Sequence, residues 1–331
     1  MLRDHPAHDD PQKGCWSLGF VMSHLGMLPT ALSESISKRS LRKLCVLHPA
    51  LSARLIAGEW LTLIALITMA KLVDHPIFTI FAIVAIGSRQ HSLAILMHEG
   101  AHYHLSNHRG INDRLAEVFA AWPLFIDLSS YRKTHFEHHN HTNTLNDPDW
   151  RRKQNADWCF PKTPSQMVVL WLKVLFDLRS KLAFVASVSG LHGFFARSDW
   201  WKGLPRIAYW IGCVCLFLRF RLGADFFMFW LIPYLFVFYP IAHLRSIAEH
   251  FGLDHHLDDP LTQTRTTMAG WFESLLICPN HINYHLEHHL APSVPSYNLP
   301  ALHRVLMESK YYAHHASITQ GYRGVINECM R

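Results

Sequence analysis

The sequence predicts an all-α integral membrane protein, with four transmembrane helices in two hairpins and a cytoplasmic helical cap. Three observations lead there. Half of the 331 residues are hydrophobic and only 17% are charged, below the roughly 25% charged content of soluble domains. Four apolar segments come in two pairs, and the Lys and Arg residues gather on one side of them.

The first pair is 55–72, whose only charges are Glu59 and Lys71, and 76–97, whose only charge is Arg89. Each approaches the ~20 residues that cross about 30 Å of hydrocarbon. The Asp74-His75-Pro76 link makes them a hairpin. The second pair is 206–220 and 224–244, joined through Arg219 to Gly223. Pro233 and Pro240 interrupt it, as membrane helices tolerate where neighbours re-satisfy the freed backbone. Thirteen Lys and Arg lie between Arg109 and Lys202 and seven in residues 1–54, so the positive-inside rule puts both regions in the cytoplasm. Arg219 and Arg221, in the outer turn, run against that rule. Residues 167–178 are apolar but short and carry Lys173 and Asp177, the pattern of a helix lying at the membrane interface. The expected division is 1–50 as a cytoplasmic N-terminal segment, 51–303 as the membrane domain and 304–331 as a cytoplasmic C-terminal tail.

Composition also excludes. The net charge of +6 is not organised with stacking aromatics, so no nucleic-acid partner is expected. Seven cysteines form no C-x-x-C pair, which rules out a zinc ribbon or rubredoxin-type iron site and fits a reducing compartment. Residues 1–40 lack the features of a secretory signal.

The cap is where the chemistry gathers. Of 26 histidines, nine lie between His91 and His141 and eight between His243 and His289. The first group holds His98-Glu-Gly-Ala-His-Tyr-His104, whose H-E-x-x-H sets His98 and His102 on one helix face. That spacing alone does not choose a metal. Two further stretches, His135-Phe-Glu-His-His139 and His285-Leu-Glu-His-His289, both read H-x-E-H-H. Positions i, i+3 and i+4 share a helix face, so each brings three imidazoles together. Eight imidazoles exceed the three protein ligands of a zinc protease. Two metal ions are indicated, and imidazole suits iron, zinc and copper.

These motifs resemble the integral-membrane fatty acid desaturase and hydroxylase superfamily, with its three histidine boxes in this order and topology. The resemblance runs from His98 to His303, and Asn283-Tyr-His-Leu-Glu-His-His-Leu-Ala-Pro-Ser-Val-Pro295 is its most specific part. It implies a non-haem di-iron centre ligated by His98, His102, His135, His138, His139, His285, His288 and His289. A ninth ligand comes from the end of the fourth helix, where His250 matches better than His243, two turns deeper. Some relatives carry a water-binding asparagine four residues earlier; here that position is Ser246. Glu99, Glu137, Glu249 and Glu287 are candidates for orienting the imidazoles, with salt bridges to nearby arginines as the alternative. His104, His108, His141 and His281 are read as outer or surface groups. Asp147 and Asp149 match a family D-P-D stretch whose role spacing does not give.

The implied reaction is oxygen-dependent desaturation of a fatty acyl substrate, with two iron ions as cofactor and dioxygen as co-substrate. Iron can do redox chemistry and zinc cannot. Hydroxylation, or oxidative decarboxylation to a terminal alkene, stays open. A membrane zinc protease with Glu99 as base would leave both H-x-E-H-H stretches unexplained, and a metal transporter would set histidines along its spans. Lacking a redox domain of its own, the chain needs an external electron donor, a ferredoxin-like or comparable carrier with a reductase. Phe226, Phe227, Phe229, Trp230, Tyr234, Phe236, Phe238 and Tyr239 are candidates for an acyl tunnel or for packing surface, and His91 with Arg89 for a buried polar site or an interhelical bond. The expected location is a bacterial inner (plasma) membrane, with the site on its cytoplasmic side.

Overall fold

The computed structural model describes residues 37–190, 200–253 and 259–331. Most of the expected N-terminal segment, and the histidines at 255 and 256, lie outside them.

Prolines open the first two long helices, α1 (Pro49–Val73) and α2 (Pro76–Ala101). Proline suits the first turn, because its φ is already helical and its missing N–H has no intrahelical partner there. Between them Asp74 adopts φ 45° and bonds back to the Ala70 carbonyl, while the His75 ring accepts from Ile77 N–H. The expected hairpin is closed by these local bonds. Helix α2 runs four residues beyond its expected end, so His98 lies within it and His102 caps it.

The helices that follow are α3 (Leu128–His141), α4 (Pro148–Arg152), α5 (Pro164–Phe176), α6 (Leu204–Phe220) and α7 (Gly223–His250). Among the described residues, α1, α2 and α7 are long and apolar enough to span a membrane. The expected third span is α6, of 17 residues. At ~1.5 Å per residue it reaches about 26 Å, short of the ~30 Å hydrocarbon thickness.

Helix α7 is continuous but not regular. It holds two π-helical stretches, Phe227–Leu231 and Tyr234–Phe238, around Pro233 and just before Pro240. A proline removes one helical N–H and clashes with the preceding turn, and wider turns relieve both. The Gln90 side-chain amide on α2 donates to the Trp230 carbonyl in this region.

Helix α2 is the inner helix: 61% of its apolar window is buried, against 17% for α1 and 28% for α7. Contact with α7 is close at Gly87, where any Cβ would collide with Val237, the small-residue device that brings membrane helices together. Four of the α7 aromatics, Phe229, Trp230, Tyr234 and Phe238, are buried in this core, whereas Phe227 and Phe236 are exposed.

The last third folds over the histidine-bearing ends of α2 and α7. It comprises β1 (Thr266–Met268), α8 (Trp271–Leu276), α9 (His285–Leu290), α10 (Leu299–Met307), α11 (Lys310–His315), β2 (Ile318–Gln320) and α12 (Gly321–Glu328). The two strands pair in parallel, Thr267 opposite Thr319, a small departure from the all-helical expectation. Residues after His303, set apart in the sequence as a tail, pack inward. Tyr322, Val325 and Cys329 share a core with Ile247 and Phe251 at the end of α7.

Candidate metal centre

Four elements deliver the histidines to one place. Helix α2 carries His98 and ends at His102; α3 carries His135, His138 and His139; α7 ends at His250; α9 carries His285, His288 and His289. Each end is fixed locally. Asp127 caps α3 by accepting from Ser130 N–H. Gly100 lets residues 109–116 pack on α2, since a Cβ there would strike Ala116. The carbonyls ending α7 are satisfied by Arg265, a buried guanidinium that donates to Ala248 O, Phe251 O and Gly252 O at 2.8–3.0 Å and pairs with Glu328.

The imidazoles form two adjoining groups, His98, His102, His135, His139 and His288 in one, and His138, His250, His285 and His289 in the other. Within each, the ring nitrogens lie within 4.8 Å of one another. Contacts run Nε2 to Nε2: His102 to His135 at 2.8 Å, His135 to His139 at 3.0 Å, His139 to His288 at 3.0 Å, His250 to His285 at 3.0 Å and His285 to His289 at 3.1 Å. The groups touch where the rings of His139 and His289 stack at 4.3 Å.

Protons do not resolve this crowding. Burial pushes His135, His139, His285, His288 and His289 well below the ordinary histidine range, and the neighbouring imidazoles push them further. Neutral rings leave lone pairs facing lone pairs. His98 has neither ring nitrogen hydrogen-bonded, a costly arrangement for buried polar atoms. Metal cations among these Nε2 atoms would satisfy them, so the residues fit a pair of metal ions.

Two of the outer nitrogens are held from behind, and two more have a carboxylate near them. His138 Nδ1 donates to Asp147 Oδ2 at 2.8 Å; because a carboxylate only accepts, Nε2 is left as the lone pair facing the group. Thr142 Oγ1 lies 3.3 Å from His289 Nδ1. Glu249 Oε1 is 3.4 Å from His285 Nδ1 and 2.9 Å from Arg245, joining the two roles considered for it. Glu99 Oε1 is 3.5 Å from His98 Nδ1, while its other oxygen accepts from His104 and from Ser296 N–H.

Other residues lie apart. Glu287 faces away from both groups and accepts from Tyr312 at 2.7 Å, Thr266 and His303, which ties the third box to the C-terminal third. Glu137 is half-buried on α3 and, among the described residues, is bonded to no imidazole. His108, His141 and His281 are exposed. His243 rests on Trp158, ring centroids 4.3 Å apart, outside both groups. Ser246 accepts from Lys153 at 2.6 Å. Sequence reasoning gave Asp147 and Thr142 no role: a loop carboxylate nine residues from His138 has no periodicity to reveal it.

The profile of the fatty acid desaturase family matches residues 74–322, three quarters of the chain. The chain belongs to the fatty acid desaturase family. Among relatives, the dihydrorhizobitoxine desaturase of Bradyrhizobium elkanii is 26% identical over 70% of this chain and 68% of its own length. The sn-1 oleoyl-lipid 12-desaturase of Anabaena variabilis is 26% identical over 65% of each. A β-carotene ketolase of Haematococcus lacustris is 25% identical over 64% of this chain and 58% of its own. The chain thus spans between a little over half and two thirds of the length of these relatives. Membership makes it a membrane oxidoreductase of desaturase type, and the match reaches well beyond His303 into the C-terminal third.

Proposed function

We propose that this desaturase-family chain holds two iron ions in its nine imidazoles and oxidises a fatty acyl chain with dioxygen, most simply by desaturation. The convergence of nine Nε2-facing histidines into two adjoining groups carries this reading. Bound there, iron supplies the redox chemistry with oxygen that unactivated C–H bonds require. The protein's own residues orient the rings: Asp147 fixes the proton of His138 on Nδ1, Thr142 does the same for His289, and Glu249 and Glu99 stand behind His285 and His98. The surrounding burial keeps water from the site.

Four spans with a cytoplasmic site, in a bacterial inner membrane, remain the proposed topology. The Lys and Arg distribution supports the sidedness. Electrons are supplied by a separate carrier. The zinc-protease alternative fits poorly, because it uses a single H-E-x-x-H and leaves the imidazoles of both H-x-E-H-H stretches, gathered in the same two groups, without a role. Relatives act on lipids, a carotenoid or dihydrorhizobitoxine by name, so hydroxylation and oxidative decarboxylation stay as second readings.

The test is iron and product together. Anaerobically purified protein is expected to hold close to two irons per chain. With a reductase, a carrier and a panel of fatty acids it should yield products short of two hydrogens by mass spectrometry. An added oxygen points to hydroxylation and loss of one carbon to decarboxylation. Stoichiometric zinc with peptidase activity would overturn the proposal.

A further inference from the structure

The short helix α8 has the reverse of the polarity that a water-facing surface needs. Among the described residues from 259 to 331, four large apolar side chains are exposed, and three of them stand on this helix: Trp271, Phe272 and Leu275, at 78%, 59% and 48% exposure. The first, second and fifth positions of a helix fall within about 100° of arc, so the three make a single face. The one charged residue of α8 turns the other way. Glu273 accepts from Tyr322 N–H at 2.8 Å and from Gly270 N–H at 2.9 Å. A helix on a water-facing surface keeps its charge outside and its apolar face inside; α8 does the opposite.

Its place along α2 gives the reason. Ser88 donates to Leu276 O at 2.9 Å and to Leu275 O at 3.2 Å, and Arg89 also donates to Leu275 O. Ser88 stands twelve residues past Pro76, where α2 begins. That is about 18 Å at ~1.5 Å per residue, well inside the ~30 Å that hydrocarbon occupies. On α2, Ile77, Phe81 and Val84 are exposed and Ser88 is buried, and spacings of three and four put all four on one stripe. The exposed apolar stripe of α2 thus ends under α8, whose own apolar face continues it. In lipid no water is at hand to satisfy a helix end, and the last carbonyls of α8 have side-chain donors instead.

We propose that α8 is an interfacial foot of the C-terminal third, with Trp271, Phe272 and Leu275 seated among lipids where head groups meet acyl chains. The partner is the bilayer rather than a protein. The apolar face joins that of a membrane-spanning helix, its height lies within the span, and its backbone end is satisfied internally as lipid demands. Tryptophan at the most exposed position suits this level, where its ring is apolar and its N–H can reach head groups or water. The contact also bears on the metal centre. Past α8, Asn280 donates to Ser92 Oγ at 2.9 Å, and Ser92 donates to Glu59 Oε1 at 2.7 Å. The turn is thereby fastened to α2 and α1 five residues before His285. Lipid under α8 therefore supports the start of α9 and the third histidine stretch, whichever acyl chain is oxidised.

The experiment uses the full chain, iron-loaded, in phosphatidylcholine nanodiscs. Phe272→Cys, in a chain whose Cys15, Cys159, Cys213 and Cys215 are replaced by serine, carries an environment-sensitive fluorophore, and His314→Cys, exposed on α11, is the water-facing comparison. Emission from 272 is expected to shift to the blue, to be lost when the lipid is replaced by its dibrominated form, and to resist iodide in the buffer. Emission from 314 should do the reverse. Leu275→Cys repeats the measurement if the first variant fails to fold. Quenching of 272 by iodide as readily as 314, with no effect of brominated lipid, would overturn the proposal. So would protection of 272 that appears only with two chains per disc, or only with an added redox carrier, since a second copy or the carrier would then be the occupant. The label reads lipid contact without need of turnover, so it stands apart from the functional reading. The consequence is read separately: Phe272→Asp should lower the thermal unfolding midpoint in nanodiscs and release iron at a lower temperature, whereas Phe272→Leu should not. Equal midpoints for both variants and the parent would overturn the support of the third histidine stretch.

Discussion

Asp147→Asn removes one charge and touches no metal-facing atom, which makes it a clean probe of how the imidazoles are held. In the parent, Asp147 Oδ2 accepts from His138 Nδ1–H at 2.8 Å and from Asn143 N–H at 3.0 Å, and Oδ1 accepts from Asp149 N–H at 2.8 Å. The asparagine has one accepting oxygen where the aspartate has two, so either His138 or the start of α4 loses its acceptor. If the oxygen stays toward His138, a neutral bond replaces a charged one, and charged hydrogen bonds contribute about 1.5–3 kcal/mol against about 1 for neutral ones. If the amide turns inward, it meets the Nδ1 proton and pushes the ring toward the wrong tautomer. With 1.4 kcal/mol per factor of ten, the expected loss of iron affinity is about 10–100-fold, the range usual for partners of metal-bound histidines. Anaerobic protein would be titrated with an iron chelator while iron per chain is read by mass spectrometry, the secondary structure being checked by circular dichroism. Asp147→Asn retaining iron as firmly as the parent would show that the carboxylate does not orient His138.

Three further outcomes are expected. His250→Ala should deplete iron while the chain stays folded, whereas His243→Ala should leave iron per chain intact, since His243 lies outside both imidazole groups; the reverse order would misplace the end of α7. Arg265→Met leaves three buried carbonyls at the end of α7 without their donor, at ~1–3 kcal/mol each, so thermal unfolding in detergent should shift down by many degrees and iron should be lost with it; an unchanged midpoint refutes the capping role. Gly87→Ala should destabilise by about 1–3 kcal/mol through overpacking against Val237, although helix propensity alone favours alanine by ~1 kcal/mol, so a gain in stability would show that α2 and α7 can move apart.

The sequence by itself determined the class of the protein and the material of its site. Apolar run lengths follow from bilayer thickness, and H-x-E-H-H spacing places imidazoles on one helix face whatever the tertiary fold, so the first hairpin, the long apolar helix α7 and the three boxes were readable one segment at a time. That His250 rather than His243 joins the imidazoles was readable, because it lies beyond the clear apolar part of its helix. What only the tertiary structure decided is pairing across the chain. The histidines divide into five and four by mixing boxes, with His138 leaving its neighbours His135 and His139 to join His250, and no local spacing predicts that. The four glutamates looked equivalent, yet Glu99 and Glu249 stand behind imidazoles, Glu287 anchors the C-terminal third and Glu137 bonds no ring. The physical reason is range: helical periodicity fixes the face on which a side chain sits, but a buried carboxylate or ammonium takes its role from the charge opposite it, which sequence distance does not record. Thus Asp147 meets His138 across a loop, Arg265 caps a helix that ends fifteen residues earlier, and Lys153 meets Ser246 from 93 positions away.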